Sequence, residues 1–327
     1  MSRISENPDQ PVIVFGGSGF VGSHLLERLK AEGMRALFSI DLRAPKAPID
    51  GVRYIQHDIR DLSDLQLDAP GPVIFNLAAV HTTPGHAPWE YYDANVRGAI
   101  EVTRLARRLD AQQIVFTSSI SVYGPDEAAK DETAPPNPQS DYGRSKLMAE
   151  QVHLDWQAEN PARSLVITRP AVVFGQGEGG NFTRLAKLLS KGWFIYPGRR
   201  DTIKSCIYVG DLVDWMLAAA QHKVPFTLFN GAYSERYTIE QIVGVFQDVA
   251  FPKIRTLTIP AGVLRAAAGV MRPLSSTGLG IHPDRIDKLM VSTNVLPGWA
   301  EARGLHSTDR LRPALQDWKQ RTQGRFV

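Results

Sequence analysis

The chain is short of the features that announce several protein classes. Cys206 is the single cysteine in 327 residues. That excludes an internal disulfide framework and a cysteine-based zinc site, and it agrees with a reducing compartment. No apolar run approaches the roughly 20 residues of a membrane span. The opening stretch MSRISENPDQ lacks the apolar centre of a signal peptide and reads as a flexible lead-in over residues 1–10. No block of like charge occurs, and 37 basic against 34 acidic residues leave a net charge of +3. This balance gives no reason to expect a nucleic-acid or membrane partner. No internal repeat is visible. With 43% hydrophobic and 22% charged residues, the expectation is a cytoplasmic globular chain of one large or two ordinary domains.

What is present is an alternation. Short apolar runs (VIVF, ALFSI, RYIQ, VIFNLA, QIVFTSS and SLVITRP) are separated, in several places, by helical patterns such as VGSHLLERLKAEG and YYDANVRGAIEVTRLARRLD. Continuous apolar strands with intervening helices predict a parallel sheet covered on both faces, a doubly wound α/β fold. After Pro170 the rhythm loosens. A helix is expected over TRLAKLLSKG, and a strand running into a helix near Gly210 over IKSCIYVGDLVDWMLAAAQ. The expected division is a Rossmann domain over 11–170 and 205–230, with a smaller α/β substrate-binding lobe over 171–204 and 231–327. The proline-rich ETAPPNPQS is a loop rather than a linker, because the pattern resumes directly after it.

Between VIVF and the first helix stand Gly16, Gly17, Gly19 and Gly22. Glycine weakens regular structure, so either packing demands a sharp turn or a ligand approaches the backbone. The spacing Gly16-x-x-Gly19-x-x-Gly22, after a strand and opening a helix, suits a dinucleotide pyrophosphate. Free N–H groups and the positive end of the helix dipole would meet the phosphates. Gly16, Gly19, Phe20, Val21 and Gly22 are therefore candidate cofactor contacts. Asp41 closes the next apolar run, where a carboxylate can accept from both ribose hydroxyls of NAD and repels the extra phosphate of NADP. Arg43 keeps NADP open. Asp58, followed by Ile59 in QHDIRD, stands where an acceptor could meet the adenine amine, although an aspartate in a loop is commonplace.

A second cluster carries the chemistry. FTSSISVYG ends a strand in hydroxyls, and DYGRSKLMAE follows the proline-rich loop. Tyr142 and Lys146 are four apart on an expected helix and so share a face. A phenol with a pKa near 10 is a poor acid or base at neutral pH, and a neighbouring ammonium lowers it. A serine from the strand end could hold the reacting oxygen of a carbinol or carbonyl.

GGSGFVGSHL, HDIRD, NLAAV, PWEYYDANVRGAI, TSSISVYG, YGRSK, TRPAVVFGQG and IYVGDL occur in one order over about residues 11–220. With these motifs the chain resembles the extended short-chain dehydrogenases/reductases, specifically the NAD-dependent epimerase/dehydratase family acting on nucleotide sugars. The resemblance implies that Tyr142 is the acid/base, that Lys146 lowers its pKa and holds the nicotinamide ribose, and that Ser119 bonds the substrate oxygen. It implies that Leu77, Ala78, Ala79 and Pro170 line the cofactor, that Asn95 sits in a supporting network, and that Thr82, Asn181 and Lys204 reach substrate. It also implies a homodimer built on the helix after Pro88 and the helix carrying Tyr142.

Two departures stand out: Asn76 where many members have histidine, and Lys204 where epimerases often place arginine. Lysine neutralises phosphate as a point charge without arginine's planar fork. Arg199, Arg200 and Arg272 are further positive groups, equally readable as solvated charge. His81 and His86 read as exposed loop residues. The leading expectation is an NAD-dependent nucleotide-sugar 4-epimerase; an NAD(P)H-dependent 4-keto-sugar reductase uses the same residues. A non-catalytic NAD-dependent sensor has no need of the Ser119, Tyr142 and Lys146 trio. The Asp–Glu pair usual in the family's dehydratases is missing from SSISVYG, and no metal is called for.

Overall fold

The structure, a computed structural model, describes residues 7–82, 85–222, 224–260, 262, 290–305 and 308–327. Residues 1–6 of the expected lead-in lie outside them, as does Arg272. The apolar runs fold as β1 (Val12–Phe15), β2 (Leu37–Asp41), β3 (Val52–Gln56), β4 (Val73–Asn76) and β5 (Gln113–Thr117). Next come β6 (Asp126–Lys130), β7 (Ser164–Pro170), β8 (Val172–Phe174) and β9 (Trp193–Pro197). β10 (Cys206–Tyr208), β11 (Phe226–Gly231), β12 (Arg255–Ile259) and β13 (Thr293–Val295) follow. Seven strands form one parallel sheet in the order β11-β7-β5-β4-β1-β2-β3, and β10–β8, β12–β9 and β13–β6 form three small parallel pairs. This is the doubly wound α/β fold expected from the alternation.

The pleat sorts the core. Val12, Val14, Phe75, Val115 and Val166 point to one face, and Ile13, Phe15, Ile74, Ile114, Phe116 and Ile167 to the other. The helices are, in chain order, α1 (Phe20–Ala31), α2 (Pro88–Tyr92), α3 (Gly98–Arg108), α4 (Asp141–Ala158), α5 (Asn181–Leu189), α6 (Val209–Gln221) and α7 (Ile239–Val249); α1 and α6 cover one face of the central sheet, and α3 and α4 the other. Leu25, Leu26 and Leu29 of α1 join Leu212, Val213 and Met216 of α6 on the first face. Val102 and Leu105 of α3 join Ala149 and Trp156 of α4 on the second.

Three details differ from the sequence reading. VIFNLA stops being a strand at Asn76, because the chain leaves the sheet to pass beside Gly16. The long helical pattern after Pro88 is divided by five residues of wider π-type winding, Asp93–Arg97. The edge strand β11 comes from FTLFNG, a stretch given no strand assignment; it pairs with β7 from Phe226–Leu165 to Gly231–Pro170. Strand order reverses between β1 and β4, so a crevice opens at their carboxyl ends. The glycine loop, Asp41, Leu77 and Ser118 all leave the sheet on that side.

Candidate active site

At the end of β1, Gly16 turns with φ +78° and its N–H donates to the Ile40 carbonyl at 2.8 Å. Any side chain here would strike the backbone where β4 ends: a Cβ would lie 2.9 Å from the Ala78 nitrogen. A Cβ on Gly22 would overlap the Gly16 carbonyl, and one on Gly17 the Ser39 hydroxyl. These three glycines therefore seat helix on strand. Gly19 differs, since an added Cβ would meet only the Gly16 carbonyl, at 3.1 Å. Gly19 is the N-cap of α1, no side chain caps that end, and no acidic residue lies in the first turn. The result is a bare backbone cradle at an uncapped helix N-terminus, which fits a pyrophosphate. Asp41 Oδ2 accepts from the Ser18 N–H at 3.2 Å and Oδ1 from the Arg43 N–H at 3.0 Å, which places the carboxylate beside the loop. Phe20 and Val21 form the first turn of α1, and Leu77, Ala78 and Ala79 pass opposite Gly16.

Asp58 and Ile59 follow β3. The Asp58 carboxylate takes Arg60 Nε at 3.0 Å on Oδ1 and Arg60 Nη2 at 2.6 Å on Oδ2, and Arg60 Nη1 continues to Asp93 at 2.9 Å. The guanidinium holds this carboxyl below its ordinary range. Asp58 thus serves an ion pair first, which its loop position alone did not reveal. Ile59 packs on Gly98. Asn95, inside the π-type turn, donates to Ser145 Oγ at 2.9 Å and to the Val80 carbonyl at 3.1 Å, while its own oxygen accepts from the Val80 N–H at 2.9 Å. It ties the Leu77–Val80 segment to α4, the supporting role the resemblance implied.

Ser119 ends the extended stretch after β5 and caps a short turn, its Oγ accepting from the Ser121 N–H at 3.1 Å. Tyr142 stands in the first turn of α4, whose N-cap is Ser140. The Tyr142 phenol lies near enough to the Ser119 hydroxyl for that group to pull its pKa down, while the bonds of Ser119 Oγ run to Ser121. Lys146, one turn further, is 2% exposed; Nζ donates to the Thr117 carbonyl at 2.8 Å and lies 4.8 Å from the Phe116 ring centre. Burial moves both groups toward neutrality. It lifts the Tyr142 phenol to about 12 against the pull of Ser119, and lowers the Lys146 ammonium to about 7 against the pull of Glu150. The sequence reading had Lys146 lowering the phenol. In this structure burial decides the direction: desolvation raises the phenol, and Ser119 is the group that pulls it down.

Behind this trio lies a buried polar chain that the sequence reading did not find. Ser118 Oγ donates to Glu150 Oε1 at 2.5 Å, and Arg169 grips Glu150 with Nε at 2.9 Å and Nη2 at 2.6 Å. Arg169 Nη1 reaches the Tyr123 hydroxyl at 2.9 Å, which donates to Asn230 Oδ1 at 2.9 Å. A second line runs through His153, stacked on Phe116 at 4.2 Å, with Nδ1–H donating to the Ala149 carbonyl at 2.7 Å. Its Nε2 accepts from Asn76 Nδ2 at 3.3 Å. A signal existed: Tyr142, Lys146, Glu150 and His153 recur at spacings of three and four along α4.

The substrate candidates are less concentrated. Thr82 is exposed, and its carbonyl accepts from the Tyr91 hydroxyl at 2.7 Å; the Tyr91 ring lies 6.2 Å from that of Tyr142. Pro170 ends β7, packed against Gly231. Asn181 opens α5 and is exposed, but the amides behind it belong to Glu178, whose carboxylate takes the Thr183 N–H at 2.8 Å and the Phe182 N–H at 3.3 Å. Lys204 Nζ donates to the Val291 carbonyl at 2.6 Å, and burial lowers this ammonium to about 8. Arg199 is engaged by Asp201 at 2.6 Å and Glu127 at 2.9 Å, and Arg200 by Thr258 at 2.7 Å and Glu240 at 3.1 Å. The two arginines are structural pairs rather than free anion receptors. His86 pairs with Glu90.

Fold and site together define a dinucleotide-binding α/β protein with a Ser–Tyr–Lys cluster at the carboxyl edge of its sheet. The model of the NAD dependent epimerase/dehydratase family matches residues 12–230, and the chain belongs to that family. It is 31% identical over 253 residues to the N-acetyl-alpha-D-glucosaminyl-diphospho-ditrans,octacis-undecaprenol 4-epimerase of Escherichia coli O157:H7, covering 76% of this chain and 75% of that protein. To the UDP-glucose 4-epimerase of Azospirillum brasilense it is 27% identical over 317 residues, covering 86% and 90%. Among solved structures, a UDP-N-acetylglucosamine 4-epimerase from Methanobrevibacter ruminantium M1 superposes with a TM-score of 0.74 at 19% identity, covering 95% of this chain and 97% of that one. MoeE5 in complex with UDP-glucose and NAD gives 0.72 at 23%, covering 96% and 99%. These two likenesses show the fold.

Proposed function

We propose that the protein is an NAD-dependent 4-epimerase of diphosphate-linked sugars, with nucleotide sugars as the leading substrate class. The observation that carries this reading is the placement of Ser119 at the end of β5 and of Tyr142 one helical turn from the buried Lys146, on the same sheet edge as the glycine cradle. Gly16, Gly19, Phe20, Val21 and Gly22 would hold the pyrophosphate, Asp41 the adenosine ribose, and Lys146 the nicotinamide ribose. When bound, NAD accepts the hydride from C4 and returns it to the opposite face. Tyr142 takes the C4 hydroxyl proton and gives it back, while Ser119 fixes the C4 oxygen. With a phenol near 12 and a lysine near 7, the phenol is neutral and the lysine about half protonated at neutral pH before substrate arrives. Positive charge entering the site then favours the phenolate.

Residues 11–170 with 205–230 would form the cofactor part, and 171–204 with 231–327 the substrate part. Thr82, Asn181 and Lys204 are the proposed substrate contacts. Among the described residues no helix is long and apolar enough to cross a membrane; we place the reaction in the cytoplasm, in keeping with the single buried thiol. A homodimer is proposed through α2, α3 and α4, whose surfaces expose Trp89, Ile100 and Met148.

The test is a proton NMR time course with UDP-, GDP- and dTDP-sugars and a polyprenyl-diphosphate sugar, adding no cofactor. A C4 epimer without net redox change supports the epimerase. Turnover only of a 4-keto sugar with added NADH or NADPH replaces it with the reductase. The similarity to the Escherichia coli enzyme makes the lipid-carried sugar a necessary arm.

A further inference from the structure

The small β9–β12 sheet has one covered and one bare face. Along WFIYP, Phe194 and Tyr196 turn inward and join the core, with α5 packed on β9. Trp193 and Ile195 turn outward and are 57% and 48% exposed. The parallel register sets Trp193 beside Arg255 and Ile195 beside Leu257, so these four share the outward face. Leu257 is 53% exposed, and the Arg255 guanidinium lies 5.5 Å from the Trp193 ring centre.

The charge on this face has one sign. Lys191 and Lys253 are exposed just ahead of the two strands. From 181 to 200 and from 249 to 260 the sequence has no aspartate or glutamate. Among the described residues, Lys191, Lys253 and Arg255 form no ion pair. Tryptophan and aliphatic groups flanked by lysine and arginine, on strands that carry no acid, match the interface of an anionic bilayer. The net charge of +3 hides this, because the acids that balance the chain lie elsewhere.

We infer that the outward face of the β9–β12 sheet docks on an anionic lipid surface. Trp193, Ile195 and Leu257 enter the headgroup region while Lys191, Lys253 and Arg255 meet lipid phosphates. The docking stands on this face alone. Its consequence, that the epimerised sugar is carried on a polyprenyl diphosphate at that surface, rests on the proposed function.

The test sediments the full chain with phosphatidylcholine vesicles and with vesicles containing phosphatidylglycerol, at low and high salt. The expected result is binding to the anionic vesicles alone, weakened by salt. The pair Lys191→Glu with Lys253→Glu should lower binding about ten-fold or more, and the triple Trp193→Ser, Ile195→Ser, Leu257→Ser should abolish it. Turnover of a water-soluble sugar substrate should be unchanged in both variants. Equal binding to neutral vesicles, no binding, or binding indifferent to both variants overturns the inference. So does a mass in light scattering that falls to the monomer in the triple variant without vesicles, since the face then belongs to a second copy. For the unsubstituted chain, turnover without vesicle binding removes the docking alone, and vesicle binding without turnover of any sugar removes the epimerase alone.

Discussion

Glu150 and Arg169 form a buried two-bond ion pair, 2.9 Å from Nε to Oε1 and 2.6 Å from Nη2 to Oε2, one helical turn beyond Lys146. The pair joins α4 to β7, and Ser118 next to the site serine donates to the same carboxylate. Breaking such a pair on one side strands a buried charge, which costs about 3–5 kcal/mol. Glu150→Gln should therefore lower unfolding free energy by that order in urea titration. Glu150→Met combined with Arg169→Met should cost less than the single change. A single variant as stable as wild type would mean that water reaches Arg169.

Tyr142 and Ser119 separate chemistry from folding. Tyr142→Phe removes the proton carrier, and turnover should fall about 10²–10⁴-fold. Stability should change by no more than about 1 kcal/mol, because Ser119 keeps its bonds to Ser121. Circular dichroism melts alongside the NMR assay read both quantities. Activity within a factor of a few of wild type would remove Tyr142 from the acid/base role.

The sheet was legible because each central strand is a continuous apolar run and each covering helix a periodic one; local pattern and global fold agree there. The glycine cradle and the order Ser119, Tyr142, Lys146 were legible because close approach and the proposed proton transfer demand particular residue types. β6 and β11 were not, since DEAAK and FTLFNG acquire strand geometry only from β13 and β7. Arg199 and Arg200 looked available because a sequence does not show that Glu127, Asp201 and Glu240 fold back onto them. The raised phenol and lowered ammonium were likewise unreadable, since desolvation is set by everything packed around the pair.

Two glycines of one loop should fail differently. A Cβ on Gly22 meets the Gly16 carbonyl and the Gly17 backbone, neither of which can yield without moving α1 off β1. Gly22→Ala should cost about 1–3 kcal/mol or more. Gly19→Ala meets only one carbonyl at 3.1 Å and should cost less than about 1 kcal/mol. It narrows the bare cradle, however, so NAD titrated by fluorescence should bind markedly more weakly while the melting temperature barely moves. Equal loss of stability in both would make the loop a packing device only.

His153 should make stability depend on pH. Its ring is buried and stacked on Phe116, Nδ1–H donates to Ala149, and Nε2 accepts from the Asn76 amide. A proton on Nε2 would face a donor and the nearby Lys146 charge. Burial accordingly lowers this imidazole from 6.5 to about 4. The unfolded chain binds a proton as pH falls through about 6.5, while the folded chain resists until about 4. Stability is thus full above 6.5 and declines between 6.5 and 4 by on the order of 3 kcal/mol from this residue. His153→Gln has no proton to take up, so its melting temperature should fall less steeply over that window than that of wild type. Parallel curves from pH 7.5 to 4.5 would show that water or a rotated Asn76 admits the charged ring.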